Sequence, residues 1–123
     1  MLFYEFQNST KIVSGKNSIA NIPAELGFFN SKRPLLISDA LLNKIGTVEK
    51  ILKSLKDGNI EIGYTYTEVP QDSDLDVINK LCKIYKENNC DSIVAVGGGS
   101  VIDTAKGVRM LISQNVQDIN ALM

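Results

Sequence analysis

Residues 95–107 read AVGGGSVIDTAKG, and they hold the residues most suited to chemistry in this chain. Gly97, Gly98 and Gly99 stand between a short β-branched run and an amphipathic segment that opens at Ser100. Glycine lets the backbone take positive φ and lets a ligand approach without striking a Cβ atom. A helix beginning there offers unpaired N–H groups and a partial positive charge, which suit a phosphate. The pattern is not G-x-G-x-x-G, because Ile102 stands where the last glycine would fall. Nor is it a P-loop, which needs Gly-Lys-Ser/Thr at its end. The residues alone lead to the phosphate of a nucleotide or sugar phosphate.

Two carboxylates accompany the glycines. Asp103 has capping-box spacing from Ser100 and would also favour the positive end of a helix dipole. Beside a phosphate it would repel, so a functional role requires it to face another part of the ligand. Lys106, three residues on, either compensates a charge or pairs along the helix. Asp39 follows the apolar run LLIS, at the carboxyl end of an expected strand. An acidic residue there accepts hydrogen bonds from adenosine ribose hydroxyls and repels a 2′-phosphate. The simpler role is to cap the helical turn at Ala40–Ile45.

The chain contains no histidine, so it supplies no imidazole acid, base or metal ligand. Cys82 and Cys90 lack C-x-x-C spacing and read as two packed thiols in a reducing compartment. A metal site from this chain alone is not expected.

These residues must be positioned by a sheet. Strands are expected at Phe3–Phe6, Lys11–Val13, Leu35–Ser38, Ile60–Val69 and Ser92–Val96. Helical spacing of apolar residues marks Ser18–Leu26, stopped by Gly27 with Pro23 in the first turn. It also marks Leu41–Ile45, Val48–Leu55, a helix through Leu75–Tyr85 capped by Asp72 or Ser73, and a last helix from Ser100. Alternating strands and helices give an α/β, Rossmann-like doubly wound, mostly parallel sheet with an N-terminal β-hairpin. No closing strand follows the last helix, which makes the domain read as incomplete.

Composition sets outer limits. Apolar residues make up 44% and charged residues 22% of the 123 residues, as in ordinary globular domains. Net charge is −1, which gives no footprint for nucleic acid. No apolar run reaches the about 20 residues of a membrane span, and MLFYEFQNST lacks a signal peptide's charged start and apolar core. The expected location is the cytoplasm.

The string AVGGGSVIDTAKG, the opening YEFQNSTKIVSGKNSIANIPAEL, the LLISDALL segment and EVPQDSDLDVI together resemble the iron-containing (group III) alcohol dehydrogenases. The resemblance spans the whole chain and implies a dehydroquinate synthase-like fold. It implies that Gly98, Gly99 and Ser100 hold the pyrophosphate of NAD, and that Asp39 selects NAD over NADP. Where the family often has Val-Pro-Asn-Pro, this chain has Val69-Pro70-Gln71-Asp72, so Gln71 inherits the place of an amide near the cofactor. Asp103 and Lys106 fall at family positions near the nicotinamide and substrate cleft.

The resemblance also implies a metal, iron or zinc, held by one aspartate and three histidines of a helical domain. That domain and a threonine-rich cofactor motif would lie beyond position 123. Residues 1–123 would then be a truncated NAD-binding N-terminal domain with no catalytic or metal-binding residue of its own. The full enzyme would interconvert a small primary alcohol and its aldehyde by metal-assisted hydride transfer. Two alternatives stay open: a glycerol-dehydrogenase-like polyol oxidoreductase, and a stand-alone nucleotide-binding or interaction module. In the latter, the edge offered by FYEFQNSTKIV would pair two chains as a homodimer.

Overall fold

A computed structural model describes residues 18–72 and 74–114. The expected hairpin strands Phe3–Phe6 and Lys11–Val13, and with them the proposed dimer edge, lie outside the described residues. The elements follow in the order α1 (Ile22–Phe28), β1 (Pro34–Ile37), α2 (Ala40–Lys44), α3 (Thr47–Asp57), β2 (Tyr64–Tyr66), α4 (Leu75–Glu87), β3 (Ser92–Ala95) and α5 (Gly99–Ser113). A 3₁₀ turn, Ser18–Asn21, leads into α1, with Pro23 in its first turn.

The sheet is parallel, with β1 between β2 and β3. Leu36 pairs in register with Thr65 on one side and Val94 on the other. All four residues of β1 are buried. A strand covered on both faces needs apolar side chains in both directions, which is why PLLI does not alternate. Leu35 and Ile37 pack with Ile78, Leu81 and Cys82 of α4 and Val101, Val108 and Leu111 of α5. Leu36 packs on the opposite face with Leu26 of α1 and Val48, Ile51 and Leu55 of α3. The α4–α5 contact is close at Gly107, where a Cβ would lie 2.6 Å from Ile78 Cδ1.

Several boundaries differ from those expected. The run Ile60–Val69 yields only β2, because among the described residues this strand pairs with β1 alone, and β1 is four residues long. Ile60 and Ile62 spend their apolar surface against the α3 side of the core instead. α1 runs through Gly27 to Phe28, and Asn30 takes the left-handed conformation that ends it, at φ 56°. The cap of α4 is Asp74, whose Oδ1 accepts from the Val77 amide at 2.8 Å, rather than Asp72, while Ser73 lies outside the described residues. β3 is half-buried rather than enclosed, since among the described residues it pairs only with β1.

Both cysteines are free thiols, Cys82 buried and Cys90 half-buried. Burial holds the Cys90 thiol above its ordinary pKa, with Arg33 opposing and Asp91 reinforcing that shift. It packs over Gly63, where a Cβ would come within 2.5 Å of its sulfur.

Candidate functional site

At the carboxyl end of the sheet the chain passes from β1 to β2 on one side, then crosses back past β1 to β3 on the other. Such a switch point opens a crevice, the usual ligand position in open α/β sheets. Here it is a cleft of about 390 Å³. One wall is the start of α2, with Asp39, Ala40 and Leu41. A second is the loop Val69-Pro70-Gln71 after β2, and the third is Gly98, Gly99, Ser100 and Val101 at the start of α5.

The three glycines have different reasons to be there. Gly97 has φ 154°, a conformation L side chains rarely adopt, and its Cβ would meet Val101 Cγ2 at 2.6 Å. Its identity follows from the turn. Gly98 and Gly99 carry negative or helical φ, and a Cβ on either would meet nothing within 4 Å. Among the described residues nothing requires glycine at those two positions. Bare backbone facing an open cleft is what a closely approaching ligand requires.

The capping-box role expected of Ser100 and Asp103 is not formed. α5 begins at Gly99 with Gly98 as its N-cap, so Asp103 lies beyond the first turn, which holds no acidic residue. Gly98 offers no side chain to cap the first amides, and the first helical bond runs from Ile102 N–H to the Gly98 carbonyl at 3.1 Å. The N–H groups before it are the ones a helix leaves unpaired. The Ser100 hydroxyl donates to the Gln71 carbonyl, joining the start of α5 to the loop after β2.

Asp39 caps α2, its Oδ1 accepting from the Leu42 amide at 2.8 Å. Its Oδ2 lies 3.4 Å from where a Gly97 side chain would begin. One carboxylate oxygen is thus bound to the helix while the other borders the glycine turn, so capping and ligand roles are compatible. The structure therefore gathers Asp39, Gln71, Gly98, Gly99 and Ser100 around one cleft. Asp103 and Lys106 are exposed on α5 and do not line it.

Two buried polar residues went unread in the sequence. Ser38 is fully buried and donates its hydroxyl to the Val96 carbonyl at 2.7 Å. Thr104 is fully buried and donates to the Ser100 carbonyl at 2.7 Å, one turn back along α5. Their signal was a hydroxyl residue at a core position, which demands an internal partner. Among the described residues no three His, Cys, Asp or Glu side chains gather in a metal-binding arrangement.

Fold and cleft define a parallel α/β protein with a glycine-bordered crevice at its switch point. The chain matches the sequence profile of the family "Iron-containing alcohol dehydrogenase" over residues 9–123, and it belongs to that family. It is 32% identical over 106 residues to the choline dehydrogenase of Bacillus subtilis, covering 86% of this chain and 26% of that protein. It is 29% identical to the NAD-dependent methanol dehydrogenase of Bacillus methanolicus, covering 88% and 28%. Among solved structures, NADH-dependent butanol dehydrogenase A of Thermotoga maritima superposes with TM-score 0.76 at 30% identity, covering 85% of this chain and 26% of that one. A halo-thermophilic archaeal alcohol dehydrogenase from a Red Sea brine pool gives 0.82 at 25% identity, covering 96% and 29%. The chain thus spans about a quarter of the length of the relatives it matches.

Proposed function

We propose that this chain is the dinucleotide-binding N-terminal part of an NAD(H)-dependent alcohol dehydrogenase acting in the cytoplasm. The complete protein would interconvert a small primary alcohol and its aldehyde. The observation that carries the reading is the pair Gly98 and Gly99, bare where no contact among the described residues asks for it, at an uncapped helix start facing Asp39. Relatives named for NAD or NADH dependence support the choice of dinucleotide. Among the described residues no helix is long and apolar enough to cross a membrane.

The amides of Gly99 and Ser100 would bind the pyrophosphate, where the helix dipole offsets its charge. Asp39 would accept from the ribose hydroxyls of the adenosine half and repel a 2′-phosphate. Gln71, on the cleft's lip, would orient the cofactor with its side-chain amide. Asp103 and Lys106, outside the lining, would attend the nicotinamide end. When bound, NAD supplies the hydride acceptor. A family metal, iron or zinc, finds no ligand set among the described residues, and no step through it is assigned to them.

The test is a titration of the ¹⁵N-labelled chain with NADH, followed by amide shifts. Saturable shifts at Asp39–Leu41, Gln71 and Gly97–Val101 are expected. Shifts elsewhere, or none at millimolar NADH, overturn the reading.

A further inference from the structure

We infer that Ser38 is the positioning residue of the cleft: its hydroxyl takes the Val96 carbonyl, ends the β1–β3 ladder there, and releases Asp39 to the site. The register shows what a regular ladder would do instead. Ile37 pairs with Ala95, and the Val96 amide donates to the Ile37 carbonyl at 2.9 Å. In a parallel ladder the residue that donates to position i receives a bond from the amide of i+2. That donor to the Val96 carbonyl would be Asp39. The Ser38 hydroxyl occupies this carbonyl at 2.7 Å. The Asp39 amide has no acceptor among the described residues.

On its other side Ser38 stays in the sheet. Its amide donates to the Tyr66 carbonyl at 2.8 Å, and its own carbonyl accepts from Val69 at 3.2 Å. It therefore binds β2 through its backbone and β3 through its side chain. One fully buried residue holds the three strand ends under the cleft. Because the ladder stops, the chain at Asp39 can turn into α2, with Oδ1 on the Leu42 amide and Oδ2 beside Gly97. Without the hydroxyl, the Asp39 amide is the donor that the ladder register offers the Val96 carbonyl, and a buried acceptor left unpaired is costly. Adding that bond would zip the sheet one step further and pull Asp39 across the floor of the crevice.

The consequence for ligand selection rests on the dinucleotide reading above, whereas the geometry does not. The experiment compares Ser38→Ala and Ser38→Thr with the unchanged chain, by amide hydrogen exchange and by NADH and NADPH titration. In Ser38→Ala the Asp39 amide should gain protection of about tenfold or more, with a shifted Leu42 amide, as a new buried hydrogen bond implies. Ser38→Thr, which keeps the hydroxyl, should return both signals to those of the unchanged chain. NADH affinity should fall about tenfold in Ser38→Ala with a smaller loss for NADPH, since misplacing Asp39 removes both its hydrogen bonds and its repulsion of the 2′-phosphate. Unchanged Asp39 exchange and Leu42 shift in Ser38→Ala overturn the assignment. Should that variant not fold, Ser38→Cys, with similar shape and a weak donor, reads the same exchange. If the unchanged chain ignores NADH, the dinucleotide reading fails while the exchange comparison still decides the role of Ser38.

Discussion

A side chain at Gly97 would face Val101 at 2.6 Å and a backbone at φ 154°, whereas one at Gly99 would enter open space. Neighbouring glycines in one motif therefore answer to different demands, and substitution separates them. Gly97→Ala should cost about 1–3 kcal/mol of stability, the range for a strained backbone position, measured by urea unfolding. Gly99→Ala should leave stability unchanged or raise it by about 0.5 kcal/mol, because alanine narrows the unfolded ensemble and the helix start accepts it. The same Gly99→Ala chain should lose the NADH-induced shifts at the start of α5, because its methyl occupies the space of the ligand. Equal losses of stability in both variants would refute the distinction. Both glycines were legible in the sequence as a phosphate turn. Their division of labour was not, since it depends on φ and on where Val101 lies.

At the scale of elements, three helices end by one device that the sequence reading missed. Asn30, Asn59 and Asn89 all take positive φ, each directly after the C-cap and two positions past the last residue of α1, α3 and α4. After α3, Ile60 N–H bonds the Leu55 carbonyl at 2.9 Å and Asn59 N–H bonds that of Lys56 at 3.0 Å. The same pair recurs as Ser31 to Leu26 with Asn30 to Gly27, and as Cys90 to Tyr85 with Asn89 to Lys86. This double bond pattern is the Schellman closure, usually built on glycine. Searching for glycine placed the end of α1 at Gly27, when the left-handed residue was the asparagine three positions on. Helix interiors and the central strand were legible because apolar spacing reports burial directly. The length of β2 was not, because it depends on how much of β1 is available to pair. Asn59→Ala should lower stability by about 1 kcal/mol, the left-handed penalty for an ordinary L-residue, while Asn59→Gly should hold or raise it. Urea midpoints of the two variants check the sign, and a stable alanine variant would contradict the account.

Across the whole molecule, the sheet is fastened at one end and open at the other. The cleft lies beyond the carboxyl ends of the strands, and the opposite ends are clasped by Asp91. Its carboxylate accepts from the Lys32 amide at 2.7 Å, the Arg33 amide at 2.9 Å and the Ser92 hydroxyl at 2.9 Å, joining the approaches to β1 and β3. Arg33 extends the clasp, donating to the Asn88 carbonyl at 2.7 Å and pairing with Glu61 at 2.9 Å. Partial burial alone would raise the pKa of Asp91, but the amides of Lys32 and Arg33 and the Ser92 hydroxyl outweigh it and hold the carboxyl below its ordinary value. A folded pKa below the unfolded one means that the native state binds fewer protons in that range. The contribution of Asp91 is therefore complete above about pH 4, the unfolded carboxyl value, and is lost as pH falls through the depressed folded value. Asp91→Asn removes the titrating charge, so its melting temperature should lie below that of the unchanged chain near neutrality. The gap should narrow steadily below about pH 4 as the native carboxylate protonates. Thermal melts followed by circular dichroism across that range decide the matter. A gap of constant size down to about pH 2.5 would mean the clasp acts through shape rather than charge, because by then most ordinary carboxylates have protonated.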